Sequence, residues 1–170
     1  NVVGYQQGFD RHGKPDAALQ KSACELAAQA DTVILCMGLD EIAESEGLDR
    51  STMKLAQNQV NLLQALAAVN PKIVVVLYCG SVVETPWLDK CQALLYAALG
   101  GQAGAGAVAD ALVGKVTPCG KLAETWPLSY ADVPSAANFA GKKKTVEYRE
   151  GLYIGYRYFD TVQKPVRFPF

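Results

Sequence analysis

Apolar residues along the chain fall into two kinds of segment. Residues 32–37 (Thr-Val-Ile-Leu-Cys-Met) and 72–78 (Lys-Ile-Val-Val-Val-Leu-Tyr) are apolar on nearly every position and rich in β-branched side chains. Unbroken runs of this length fit strands covered on both faces, as in a parallel sheet. Both are expected to be parallel and central, with helices on either side. Between them Leu55, Leu62, Leu63, Leu66 and Val69 return at the helical period. Ser51 or Thr52 is the candidate cap of that helix, and Asn70-Pro71 stops it. Upstream, Ala18, Leu19, Ala23, Cys24, Leu26 and Ala27 mark a helix that opens at Pro15-Asp16 and runs to about Ala30. The order strand, helix, strand leaves room for a right-handed parallel crossover.

The remaining pattern is weaker. Val2-Val3-Gly4-Tyr5 reads as a short edge strand, and residues 93–97 as a third short strand. A helix is expected over 102–113, where glycines and alanines would let it pack close to the sheet. Residues 121–126 alternate as a part-exposed strand does, and 154–159 read as an edge strand. Segment 129–147 holds Pro134, Gly141 and the run Lys142, Lys143, Lys144, and is expected to be a long surface loop. The fold expected is a single three-layer α/β/α sandwich over 1–170 with a mostly parallel central sheet. A leading segment covers 1–14 and an aromatic segment closes 148–170.

Composition narrows the function classes. A chain of 170 residues, half of them apolar, is long enough for one substantial core. Its net charge of −1 gives no support for nucleic acid or an anionic membrane as partner. No apolar run reaches the roughly 18 residues of a membrane span, and Asn1-Val2-Val3 does not open a signal peptide. The chain opens without methionine and stops just after an aromatic cluster, which suggests part of something larger. The cysteines, Cys24, Cys36, Cys79, Cys91 and Cys119, are odd in number and form no CxxC, so free thiols are expected. Free thiols tilt the compartment toward the cytoplasm without fixing it. The single histidine, His12, has no second histidine or cysteine beside it, and neither a metal nor a cofactor is expected. Residues 99–106 are glycine-rich but lack the Gly-Lys-Ser/Thr ending of a triphosphate loop. No Gly-x-Ser-x-Gly elbow occurs. Whatever chemistry the chain carries therefore falls to carboxylates.

One stretch concentrates them. Glu44-Ser45-Glu46-Gly47-Leu48-Asp49-Arg50 follows the first apolar run directly. Loops at the carboxyl ends of parallel strands are where ligands sit in open α/β sheets. Read from residue types alone, the stretch is either a carboxylate presented to a polar substrate or a solvated loop with Asp49 and Arg50 paired locally. Trp87 follows the second strand and Pro86. It has two readings as well: a flat face for a sugar ring at the ligand-side rim, or a cover for the core.

The ordered set resembles glycoside hydrolase family 3. It comprises 44–50, then 74–77 leading into Gly80-Ser81-Val82-Val83-Glu84, then Pro86-Trp87. Gly100-Gly101-Gln102, 109–114, 118–122 and Trp126-Pro127 follow, and Tyr148-Arg149-Glu150-Gly151 onward to Asp160 completes it. The resemblance runs from about Tyr5 to Phe170 and points to the α/β sandwich that packs against a (β/α)8 barrel in β-glucosidases and related exo-glycosidases. It implies Glu46 as general acid/base, with Glu44 the alternative two residues earlier, Asp49 and Arg50 shaping the loop, and Trp87 near the substrate. It further implies an aspartate nucleophile on the barrel, outside this chain, and a β-glycoside or oligosaccharide bound between the two domains. Glucose is the default sugar, with xylose or arabinose close behind. A non-catalytic sugar-binding or scaffold domain of the same fold is the alternative. Cys79, Cys119 and Val82-Val83 depart from the family's usual residues.

Overall fold

A computed structural model of the protein describes residues 2–139 and 144–170. Lys142 and Lys143 of the expected basic loop lie outside the described residues. Helix α1 (Ala17–Ala27) leads into strand β1 (Val33–Gly38), helix α2 (Gln57–Val69), strand β2 (Ile73–Tyr78) and strand β3 (Ala93–Tyr96). Helix α3 (Gly104–Leu112), strand β4 (Trp126–Pro127), helix α4 (Tyr156–Val162) and strand β5 (Val166–Phe168) follow. The three longer strands form one parallel sheet in the order β1-β2-β3, and β4 and β5 form a small antiparallel pair. The fold is an α/β sandwich with a mostly parallel central sheet, as the apolar runs indicate.

The two central runs differ in depth. β2 lies between its neighbours, and Ile73, Val75, Val76 and Leu77 are fully buried. β1 is parallel but lies at the edge among the described strands, and its burial alternates: Leu35 and Met37 are buried while Ile34 and Cys36 are exposed. The expectation of helices on both faces of β1 therefore fails within these residues, because α1 and α2 cover one face only. Pairing of Val33 with Ile73, Leu35 with Val75 and Met37 with Leu77 aims all six side chains at that covered face. There they meet Leu62, Leu63 and Leu66, which recur along α2 at helical spacing.

Helix ends follow local chemistry. Asp16 caps α1, its Oδ1 accepting from the backbone N–H groups of Ala18 and Leu19 at 3.0 Å each. Helix α2 starts at Gln57, after Ala56, without a side-chain cap; neither Ser51 nor Thr52 serves, and Thr52 instead accepts from the Lys54 N–H. Asn70, 7 % exposed, joins three elements. Its Nδ2 donates to the carbonyls of Ala27 (3.0 Å) and Ala30 (2.7 Å), and its Oδ1 accepts from the Lys72 N–H (2.9 Å).

Other expectations are corrected here. Residues 2–5 form no strand, and 154–159 contribute to helix α4 rather than an edge strand. The strand expected over 121–126 shrinks to Trp126–Pro127. The glycines of α3 do not bring it against the sheet: no α3 residue is buried, and a Cβ at Gly104 or Gly106 would meet open space. Trp87 belongs to the core. It is 4 % exposed among the apolar residues beneath α2, so its indole has no free face for a sugar. All five cysteines are free, and burial pushes the Cys79 thiol up to about 12.

Asn70→Leu leaves the part-buried Ala30 carbonyl and Lys72 N–H without their side-chain partner and should cost about 2 kcal/mol in denaturant unfolding. Trp87→Phe should lower stability by about 1–3 kcal/mol, and in a complete enzyme it should leave KM unchanged; a raised KM at unchanged melting temperature would restore the rim reading. Because folding holds Cys79 neutral, its contribution to stability should be present below the ordinary thiol value of 9.0 and be lost as pH rises toward about 12. Alkylation of the folded chain at about pH 8 should accordingly modify exposed Cys119 and spare Cys79.

Candidate active site

Where β1 ends, its backbone is fixed from two sides. A Cβ at Gly38 would lie 2.0 Å from the Tyr78 carbonyl oxygen, so only glycine fits. The buried amide of Gln59 on α2 then grips Gly38 twice. The Gly38 N–H donates to Gln59 Oε1 at 2.9 Å, and Gln59 Nε2 donates to the Gly38 carbonyl at 2.9 Å. From this anchor the acidic loop departs.

Its first turn is built by Asp40, whose Oδ1 accepts from the N–H groups of Ile42 (3.2 Å) and Ala43 (2.8 Å). Glu41 pairs with Arg11 of the leading segment, and His12 Nδ1 lies 4.0 Å from Asp40 Oδ2. Glu41's own backbone amide and the Arg11 guanidinium hold its carboxyl below the usual carboxylate range. Glu44 turns inward, its Oε1 accepting from the Gly80 N–H at 2.7 Å. At the far end Arg50 Nη2 donates to the Val82 carbonyl at 3.0 Å, and the Glu84 N–H donates to the Met53 carbonyl at 2.7 Å. Asp49 and Arg50 form no ion pair; Arg50 is committed to the loop after β2 instead.

Between these two ties the chain makes a short turn. Leu48 N–H bonds to the Ser45 carbonyl at 3.3 Å, and Gly47 takes φ +80°, a left-handed conformation suited to glycine. Glu46 stands on this turn and is exposed, as is Asp49. The loop therefore separates its two candidate carboxylates. Glu44 is spent on the backbone of the next loop, whereas Glu46 has no hydrogen-bond partner among the described residues.

Beside the loop lies a cleft of about 550 Å³. Glu44, Leu48 and Arg50 form one wall, and Tyr130, Val133 and Phe139 stand opposite. Neither Trp87 nor Glu46 lines it, though Glu46 is flanked in sequence by lining residues Ser45 and Leu48. The opposing wall was not legible as part of a site; its only signal was the length of the 129–147 loop. Among the described residues no group of three or more His, Cys, Asp or Glu side chains is placed to hold a metal ion. No described helix is long and apolar enough to cross a membrane.

Comparison with known proteins gives this geometry a family. The model of the glycosyl hydrolase family 3 C-terminal domain matches residues 5–156. Thermostable β-glucosidase B of Acetivibrio thermocellus is 48 % identical over 171 residues, covering 100 % of this chain and 22 % of that protein. An exo-α-(1→6)-L-arabinopyranosidase of Bifidobacterium breve is 44 % identical over 168 residues, covering 98 % and 22 %. The crystal structure of a Bifidobacterium adolescentis β-glucosidase superposes with a TM-score of 0.93 at 48 % identity, over 96 % of this chain and 24 % of that one. The chain thus spans about a fifth to a quarter of the length of these relatives. It belongs to glycoside hydrolase family 3, as that family's C-terminal domain.

Proposed function

We propose that this domain supplies the general acid/base, Glu46, to a retaining exo-acting β-glycosidase, with a β-glucoside as the default substrate. The observation that carries the reading is the contrast within one loop: Glu44 and Arg50 are tied to the loop after β2, and Glu46 is left exposed and unbonded between them. A general acid must reach the glycosidic oxygen of a substrate held elsewhere. Of the two candidate carboxylates, Glu44 and Glu46, Glu46 is the one free to do so.

In the mechanism, Glu46 protonates the leaving oxygen while an aspartate on a (β/α)8 barrel attacks the anomeric carbon, giving a covalent glycosyl-enzyme. Glu46 then takes a proton from water as the water attacks the anomeric carbon and displaces the aspartate carboxylate, releasing the sugar. The two carboxyl groups must come within roughly 5–5.5 Å of each other. Arg50 holds the descending limb of the loop, and the exposed Asp49, which lines the cleft, offers a second carboxylate for loop or substrate contacts. Large apolar side chains at the cleft, Leu48 (61 % exposed), Leu99 (70 %) and Phe139 (54 %), suit a surface that another domain covers. The chain exposes 11363 Å², against about 8,100 Å² expected for a free-standing monomer of its mass. That excess supports a large neighbouring surface in the parent. On this reading the isolated domain has little or no activity.

The test is Glu46→Ala in the complete enzyme, assayed with two aryl glucosides. With a poor leaving group kcat/KM should fall by about a hundredfold or more, and with dinitrophenolate kcat/KM, which reports glycosylation, should be largely kept while kcat falls because deglycosylation lacks its base. Azide should restore turnover and yield a β-glucosyl azide. If Glu46→Ala loses only a few-fold while Glu44→Ala shows the loss and the azide rescue, the role belongs to Glu44. If neither variant responds, the acid/base residue lies elsewhere and this loop is structural, which favours a sugar-binding or scaffold role for the domain.

A further inference from the structure

Both walls of the cleft converge on one short segment, residues 80–84. The Gly80 N–H and the Val82 carbonyl take Glu44 and Arg50 from the acidic loop, and the Glu84 N–H takes the Met53 carbonyl at its end. The Glu84 side chain turns to the other wall. Its Oε1 accepts from the backbone N–H of Tyr130 at 2.9 Å. Tyr130 opens the 3-10 turn Tyr130–Asp132, from which the wall carrying Val133 and Phe139 continues.

Glu84 is 8 % exposed, and the neighbouring Val83 is fully buried. Burying a carboxylate is costly without a compensating charge. Among the described residues Glu84 makes no ion pair; its side chain has a single hydrogen bond, and that bond joins two loops. A backbone N–H and a side-chain oxygen of the same buried residue thus hold opposite sides of one cleft.

We propose that Glu84 is a positioning residue that fixes the 129–139 wall against the acid/base loop, so that Glu46 meets the leaving group at one distance. This rests on the glycosidase reading of the domain. Glu84 touches no reacting atom; it acts through Met53 and Tyr130. The side-chain requirement is an acceptor of the right length, not a negative charge. Gln therefore satisfies it and Met, of similar volume, does not.

The experiment compares Glu84→Met and Glu84→Gln in the complete enzyme by amide hydrogen exchange and by turnover of the same two aryl glucosides. In Glu84→Met, exchange should rise together in 44–50 and 130–139, and kcat/KM on the poor leaving group should drop by about ten- to a hundredfold. The drop with dinitrophenolate should be much smaller. Glu84→Gln should restore both readouts to near the parent values. Exchange rising in 130–139 alone would overturn the coupling. Equal damage from Gln and Met, above all with azide rescue, would make the charge itself the requirement and overturn the positioning role. Should Glu84→Met fail to fold, Tyr130→Pro removes the same hydrogen bond from its other end. Proline is tolerated there because Tyr130 is the first residue of its turn and Ser129 before it is extended. In that variant unchanged exchange in 44–50 would overturn the proposal. A parent that hydrolyses neither glucoside while the exchange coupling holds would remove the glycosidase reading and leave the latch standing.

Discussion

The parallel pairing of β1 with β2 is the constraint on which the rest depends. Six consecutive residue pairs from Val33 with Ile73 to Gly38 with Tyr78 put both carboxyl ends at the same edge of the sheet. Two loops must then leave side by side. At their exit the backbones approach so closely that Gly38 admits no Cβ. The acidic loop can form its ties to residues 80–84 because this pairing places the two loops within hydrogen-bond reach. Helix α2 closes the arrangement from behind, its leucines filling the covered face and Gln59 gripping the last residue of the strand.

Three of the buried polar side chains sit at junctions. Asn70 serves the ends of α1 and α2 and the start of β2, Gln59 serves the strand-to-loop exit, and Glu84 serves the two cleft walls. Each satisfies backbone groups that the regular elements cannot pair among themselves. A buried polar side chain is tolerable when it is bonded, and its bonds then have few alternatives. These three residues accordingly specify geometry more than they add stability. Further out, Trp126 meets Tyr96 and Phe168 edge to face at 5.3 and 5.7 Å, which ties the small β4-β5 pair to the main sheet.

The site divides its labour along the loop. Rigid ties at Glu44 and Arg50 flank a short turn, and the turn presents a carboxylate that this chain leaves unbonded. Such an arrangement holds the carboxylate at the base of its turn and leaves it free at its tip, as the proposed acid/base role requires. The arrangement suits a group whose partner lies on another surface. It explains why the unbonded Glu46 is a better candidate here than Glu44, whose carboxylate is tied to the Gly80 N–H.

The sequence by itself determined the elements that rest on local periodicity and short-range chemistry. The apolar runs of β1 and β2, the helical spacing of Leu62, Leu63 and Leu66, and the Asp16 cap are local signals, and the structure follows them. The motif order identified the family and the acidic loop for the same reason: both are written in contiguous residues. Features that depend on neighbours distant in the chain emerge from the packed fold alone. Val2 to Tyr5 has β-type residues but finds no strand to pair with among those described, and 154–159 gives way to helix. Trp87 reads as a rim residue or a core residue from its place after Pro86, and packing beneath α2 makes it core. Glu44 and Glu46 are equivalent in composition, and it is the Gly80 N–H, 36 positions downstream, that sets them apart. Glu84 gave no sign of its own because its partner Tyr130 lies 46 residues away, across a contact that no local pattern encodes.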